Sequence, residues 1–251
     1  MPCVSFHCPG KPFRWVTIDN CTLCEDRCMP IELLRWIWKT NMEDTKGHYH
    51  EDPKVISATS ALSCLRRAYF DKMVDYAECP IKDPSTNSPG LLARTNGIAT
   101  HAAIEAANQD GSSEVALSMD LRDGYKLMGT SDRLSDTEVA DYKKASSARK
   151  TIDTKHEEQV TLYDEMKGDE FTGKRELKVI YLAHNAFSYL TCERQEGILD
   201  KVLGWCDELI QALETKDPSK LEPKGRVLKV FRQPLCDYCG HKDVCDALEV
   251  E

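Results

Sequence analysis

The order of elements along the chain predicts an α/β fold, a mixed sheet flanked by helices. Three observations lead there. Strand-like runs (EVALSM and YKLMGTSD, then ELKVIYLAHN and AFSYLTCE) alternate with helical stretches before, between and after them. Such interleaving buries both faces of a sheet most economically when helices cover it. At 251 residues the chain can build one good core with a small appendage.

Composition narrows the class. Charged residues make up 30% and the formal net charge is −9, so a soluble globular protein is expected and a basic nucleic-acid coat is excluded. No apolar run approaches bilayer-spanning length, so no membrane partner is expected, and MPCVSFHCPG lacks an apolar signal core. Twelve cysteines without an export signal point to a reducing compartment, where clustered thiols more often hold metal than form disulfides.

Residues 1–45 read as a small Cys-rich module. Cys21-x-x-Cys24 has the knuckle spacing from which tetrahedral Zn²⁺ commonly takes two ligands. Cys8 and Cys28 are assigned as the other two, with Cys3 or His7 able to replace either. A segment this short has too little core to order itself, so the metal supplies its folding energy. Pro30 suits a first helical position, and Ile31, Leu33, Leu34, Trp36, Ile37 and Trp38 make the following helix broadly apolar. The polar stretch 41–53 reads as a linker, and the body follows over 55–247.

In the body, Ser57-Ala-Thr59-Ser60 offers helix caps before ALSCLRRAYFDKMV, which carries Cys64, Arg66 and Arg67. A Pro-rich loop over 79–89 precedes a helix over about 91–108 containing His101. The two strand runs that follow are joined by the turn signal Arg122-Asp123-Gly124. A helix over about 153–166 sets Gln159 and Tyr163 four apart, on one face. The closing helix, about 195–213, packs along Ile198, Val202, Trp205, Leu209 and Leu213.

The chemistry concentrates in GTSDRLSDTEVADYKK. Asp132 ends an apolar run, and Asp141-Tyr142-Lys143 begins nine residues later. On a strand Asp141 and Lys143 share one face. With RLSDTE as the turn of a hairpin, Asp132 meets Asp141 across it. Two carboxylates and one ammonium in a small volume are costly unless a hard cation lies between them, and Mg²⁺ or Mn²⁺ takes such oxygen ligands.

Taken in order, His101, Gly129-x-x-Asp132, Asp141-x-Lys143 and Gln159-x-x-x-Tyr163 resemble the PD-(D/E)XK nuclease superfamily, RecB-like branch, over about residues 55–247. SATSALSCLRRAYF, together with Cys236-x-x-Cys239-x5-Cys245, is similar to the CRISPR-associated iron–sulfur exonucleases. Three late thiols cannot close a four-ligand site, and the resemblance makes Cys64 the fourth ligand of a 4Fe–4S cluster joining the ends of the domain. Cys₄ ligation by itself suits zinc as well. Cys79, Cys192 and Cys206 are expected to be ordinary thiols.

The resemblance implies a restriction-endonuclease-like sheet and metal-dependent hydrolysis of DNA, as an exonuclease or end-trimming enzyme on single strands or DNA ends. In that mechanism His101, Asp132, Asp141 and the Tyr142 backbone carbonyl hold Mg²⁺ or Mn²⁺, Lys143 orients the attacking water, and Gln159 and Tyr163 position water or strand. It implies a pathway of DNA processing, recombination or CRISPR adaptation, with other DNA-processing proteins as partners. The setting is the cytoplasm of a prokaryote, or of a host cell for a viral protein. An acidic chain binds DNA only where its basic residues gather. Arg66, Arg67, Lys144 and Lys150 are the candidates, with Arg149, Lys155, Lys174, Arg175 and Lys178 nearby in sequence. Two other readings stay open: a catalytically silent nucleic-acid- or partner-binding protein on a nuclease fold, and a metal sensor or scaffold built on the cysteine clusters.

Overall fold

The structure, a computed structural model, describes residues 5–8, 11–17, 23–25, 32, 36, 52–73, 88–107, 113–168, 174–183, 186–222, 236, 239 and 241–248. Chain contacts divide it into two compact units that are not consecutive in sequence. One comprises Met1–Glu51, Cys64–Thr100 and Asp217–Glu251; the other comprises Asp52–Ser63 and His101–Lys216.

The second unit holds a six-stranded mixed sheet. Its strands are β3 (Val55–Ser57), β4 (Ser113–Asp120), β5 (Lys126–Leu134), β6 (Glu138–Lys144), β7 (Glu176–Leu182) and β8 (Phe187–Cys192). The order is β3-β5-β6-β7-β8, with β4 also paired to β5. β4 and β5 are antiparallel around the tight turn at 122–124, where Asp123 (φ 57°) and Gly124 (φ 77°) take left-handed backbone. β6 and β7 run parallel, which requires a crossover, and helix α4 (Thr154–Lys167) supplies it. The sequence therefore predicted the class correctly. The hairpin joining β5 to β6 also forms, with Arg133 opposite Ala140 and Leu134 opposite Val139.

Helix α1 (Ala58–Ala61) is capped by Ser57, whose side chain accepts the Ser60 N–H at 3.1 Å. The single helix expected over ALSCLRRAYFDKMV is interrupted here, and α2 (Leu65–Met73) starts after Cys64. Helix α3 (Ser88–Ala107) begins on Ser88-Pro89, where proline costs no hydrogen bond. α4 packs against the sheet and against α5 (Ile198–Thr215). Seven of its residues, Gln159 to Asp164 and Met166, are buried, and the polar ones among them must find partners inside. Asp164 does so by accepting from Arg175 Nη1 at 3.0 Å and from Arg194. The core between these layers includes Ile56, Leu127, Val139, Val160, Leu162, Val179, Val202, Leu209 and Ile210.

In the first unit, β1 (Ser5–Cys8) and β2 (Lys11–Thr17) form an antiparallel pair, and α6 (Lys242–Ala247) lies near the C-terminus. Of the expected zinc ligands, Cys8 ends β1 and Cys24 lies between the turn residues Leu23 and Glu25, while Cys21 and Cys28 fall outside the described residues. Cys3, Cys79 and most of the helix expected over 31–38 fall outside them too. Among the described residues no helix is long and apolar enough to cross a membrane.

Gly129 shows how closely sheet and helix approach. A Cβ there would stand 2.7 Å from Tyr163 Cε1 and 3.3 Å from the Ala58 methyl group. Gly129→Ala is expected to destabilise the fold by about 1–3 kcal/mol through this overpacking, measurable as a lowered urea midpoint. An unchanged midpoint would show that the ring yields freely.

Candidate active site

The ladder between β5 and β6 ends one pair short of Asp132 and Asp141. Beyond it the main-chain N–H of Tyr142 donates to Asp132 Oδ2 at 2.6 Å, so a side chain takes over where sheet pairing stops. The other oxygen, Oδ1, lies 3.5 Å from His101 Nδ1 on α3. That contact raises the imidazole pKa above its ordinary value; burial opposes it, and Asp141 and Glu114 add to it. The Tyr142 ring stands edge-on to His101, with centroids 6.2 Å apart.

Asp141 is 2% exposed. Its Oδ2 lies 2.7 Å from Lys143 Nζ, as the shared strand face predicts, yet receives no aligned hydrogen bond. Oδ1 accepts from Gln159 Nε2 at 3.3 Å, and the same amide nitrogen donates to the Tyr163 hydroxyl at 2.8 Å. Burial pushes the Asp141 carboxyl up to about 6; the Lys143 ammonium opposes this and Asp132 reinforces it. Burial likewise holds the Tyr163 phenol well above its usual range, with the Asp141 charge adding to it. His101, Asp132, Asp141, Tyr142, Lys143, Gln159 and Tyr163 thus come together, from α3, β5, β6 and α4.

One acidic group had no role in the sequence reading. Glu114 on β4 offers an oxygen that lies, with a ring nitrogen of His101 and an oxygen of Asp132, in a set whose members are all within 4.8 Å of one another. The signal was available: Glu114 and Asp132 lie nine residues either side of Asp123, the centre of the turn.

The residues expected to meet DNA divide. Lys144 and Lys150 are exposed, and Arg67 is exposed beside Asp71 at 3.6 Å. Arg66 is buried instead; Nε donates to the Leu221 carbonyl at 2.5 Å, Nη2 to the Ser219 carbonyl at 3.3 Å and Nη1 to Cys245 Sγ at 3.6 Å. A guanidinium engaged this way braces the chain and is turned away from solvent phosphates. Arg175 and Lys178 are also buried, on Asp164 and Glu138 respectively.

Cys64, Cys236, Cys239 and Cys245 line one cavity in the first unit, together with Arg66, Phe70 and His241. None of the four is in a disulfide. His241 Nε2 bonds to Asp71 Oδ1 at 2.8 Å and its ring lies 5.6 Å from Phe70, fixing the C-terminal segment to α2. Among the described residues the sulfurs do not form a set of three within 4.8 Å. Cys192 and Cys206 belong to the second unit, and burial pushes their thiols up to about 11 and about 12.

Comparison with known proteins agrees with this geometry. The family model of the PD-(D/E)XK nuclease superfamily matches residues 44–246. Among solved structures, the protein SSO0001 superposes with a TM-score of 0.60 at 15% identity, covering 88% of this chain and 98% of its own. A Eubacterium rectale protein described provisionally as an exonuclease matches with a TM-score of 0.35 at 15% identity, over 77% of this chain and 81% of its own. No curated protein matches the chain.

The raised Asp141 pKa fixes the sign of a pH effect. Between pH 3.8 and about 6 the metal-free fold retains a proton that the unfolded chain releases. The stability contributed by the protonated carboxyl is therefore complete at the low end and lost as pH rises through that window. Asp141→Asn removes the titration, so its stability relative to the native protein is expected to improve from pH 4 to pH 6. Urea midpoints across that range check it; parallel curves would refute it.

Proposed function

Given that this chain belongs to the PD-(D/E)XK nuclease superfamily, we propose that it hydrolyses DNA phosphodiester bonds with Mg²⁺ or Mn²⁺, trimming single strands or DNA ends as an exonuclease. The observation that carries this is the meeting of Asp132 with Asp141 and Lys143 where the hairpin ladder ends. The donor set fits a hard divalent ion: carboxylates and one imidazole, with the buried Asp141 oxygen Oδ2 beside the Lys143 ammonium. His101, Asp132, Asp141 and the Tyr142 carbonyl would hold it. Bound there, such an ion lowers the pKa of water and neutralises charge on the scissile phosphate.

The protein's own groups do the rest. Lys143, kept at 2.7 Å from Asp141, orients the attacking water and stabilises charge developing on the phosphate oxygens. Gln159 fixes the rotamer of Asp141 and, through Tyr163, the floor of the site. Lys144 and Lys150 meet the strand.

We assign Cys64, Cys236, Cys239 and Cys245 to a 4Fe–4S cluster with a structural role. Their shared cavity supports this. Cys8, Cys21, Cys24 and Cys28 are assigned to Zn²⁺ on their spacing. The cysteine pattern favours a RecB-like, CRISPR-associated-type branch acting in CRISPR adaptation, recombination or other DNA processing in the cytoplasm.

Asp132→Ala and Lys143→Ala are each expected to lower Mn²⁺-dependent cleavage of labelled single-stranded DNA by about a thousandfold, with the circular dichroism spectrum retained. Undiminished cleavage by either variant refutes the assignment. Anaerobically purified protein is expected to contain iron and to absorb broadly at the blue end of the visible range. A colourless preparation holding only zinc overturns the cluster.

A further inference from the structure

Lys143 on β6 stands opposite Tyr181 on the parallel strand β7, two residues on from the pair Asp141 and Val179. Partners in register share a sheet face, so the Tyr181 side chain lies beside Lys143 on the face that α4 covers. From that helix Gln159 reaches Asp141. His156, three residues earlier and on the same side of the helix, reaches Tyr181.

The hydrogen bonds fix which imidazole nitrogen carries the proton. The Tyr181 hydroxyl accepts the main-chain N–H of Asp153 at 3.0 Å. Tyr181 is 1% exposed, and among the described residues its hydroxyl has one other partner, His156 Nδ1 at 2.8 Å. The phenolic proton therefore goes to Nδ1, since a buried donor left unused is costly. In a neutral ring, an accepting Nδ1 leaves the proton on Nε2. The ring is neutral: burial first and the Lys143 ammonium next bring its pKa down to about 4, with Lys155 and Arg149 adding and Asp153 opposing. Nε2 meets no acceptor among the described residues, and the side chain is 23% exposed. His156 is thus an uncharged donor, aligned by a buried tyrosine, in surroundings made positive by Lys143, Arg149 and Lys155. The acceptor that suits such a place is an anionic oxygen.

We propose that the Nε2–H of His156 donates to a phosphate oxygen of the nucleic-acid strand bound beside Lys143, with Tyr181 as the residue that positions the imidazole. This rests on the nuclease reading and adds a substrate contact to it. Because the ring is uncharged, it binds phosphate without competing with Lys143 for the Asp141 carboxylate.

The test is binding of a fluorescent single-stranded oligonucleotide to the full chain carrying Asp132→Ala, read by anisotropy so that cleavage does not intervene. His156→Asn keeps an acceptor for Tyr181 near the Nδ1 position and removes the outer donor; His156→Gln places an amide donor near the Nε2 position. The Asn variant is expected to raise the Kd about tenfold and the Gln variant to restore most of that loss, both with melting temperatures close to that of the background. Replacing phosphates one at a time by methylphosphonate is expected to reveal one position at which the cost of His156→Asn disappears, an outcome that a purely structural role does not produce. Magnetic resonance of the histidine-labelled native chain is expected to show His156 protonated on Nε2. An Nδ1–H tautomer, equal Kd values throughout, a cost spread evenly over all phosphates, or unfolding of both variants each overturns the proposal. If His156→Asn weakens binding at one phosphate while the native chain cuts no DNA, the contact stands and the nuclease reading falls. If the native chain cuts DNA and His156→Asn binds it unchanged, the nuclease reading stands and the contact falls.

Discussion

One hydrogen bond sets the geometry of the site: the main-chain N–H of Tyr142 to Asp132 Oδ2, 2.6 Å long. A backbone donor withdrawn from a ladder must be paired or it costs the fold dearly. Where β5 and β6 part, the Asp132 carboxylate meets that need, and its orientation is fixed as a consequence. Its second oxygen is then left to face His101. The splaying of two strands thus becomes a rigid mount for a charged group, with no loop involved.

Asp141 is fixed differently, by burial. Its charge is tolerated because Lys143, two residues on along the same strand face, lies beside it and Gln159 reaches it from α4. α4 is in turn anchored from its other side, since Asp164 takes both Arg175 and Arg194 in a buried cluster. Losing one member would leave uncompensated charge inside the protein, which is far costlier than losing a surface pair. The precision of the acidic site therefore depends on ion pairs that never touch it.

Much of this was legible in the residues. Alternation along Asp141-Tyr142-Lys143 fixed which side chains share a face, and the four-residue spacing of Gln159 and Tyr163 put them within reach of each other. The hairpin followed from RLSDTE between two apolar runs. What stayed hidden depended on distant contacts. Arg66 and Arg67 are adjacent in sequence and look alike, yet one is buried on carbonyls and a sulfur while the other is exposed. No local signal separates them, because the acceptors, at Ser219, Leu221 and Cys245, are more than 150 residues away. Glu114 was half hidden: its place opposite Asp132 follows from the spacing about the turn, whereas its left-handed backbone is visible only in three dimensions.

The bonds of Arg66 have a consequence for how the cysteines are kept. Leu221, Ser219 and Cys245 are tethered to α2 by one guanidinium, and His241 is tethered to the same helix through Asp71. The tail of the protein is thereby docked by ordinary polar contacts, whose main acceptors are two carbonyls and a carboxylate. The four thiols are presented by a framework that does not itself consist of them.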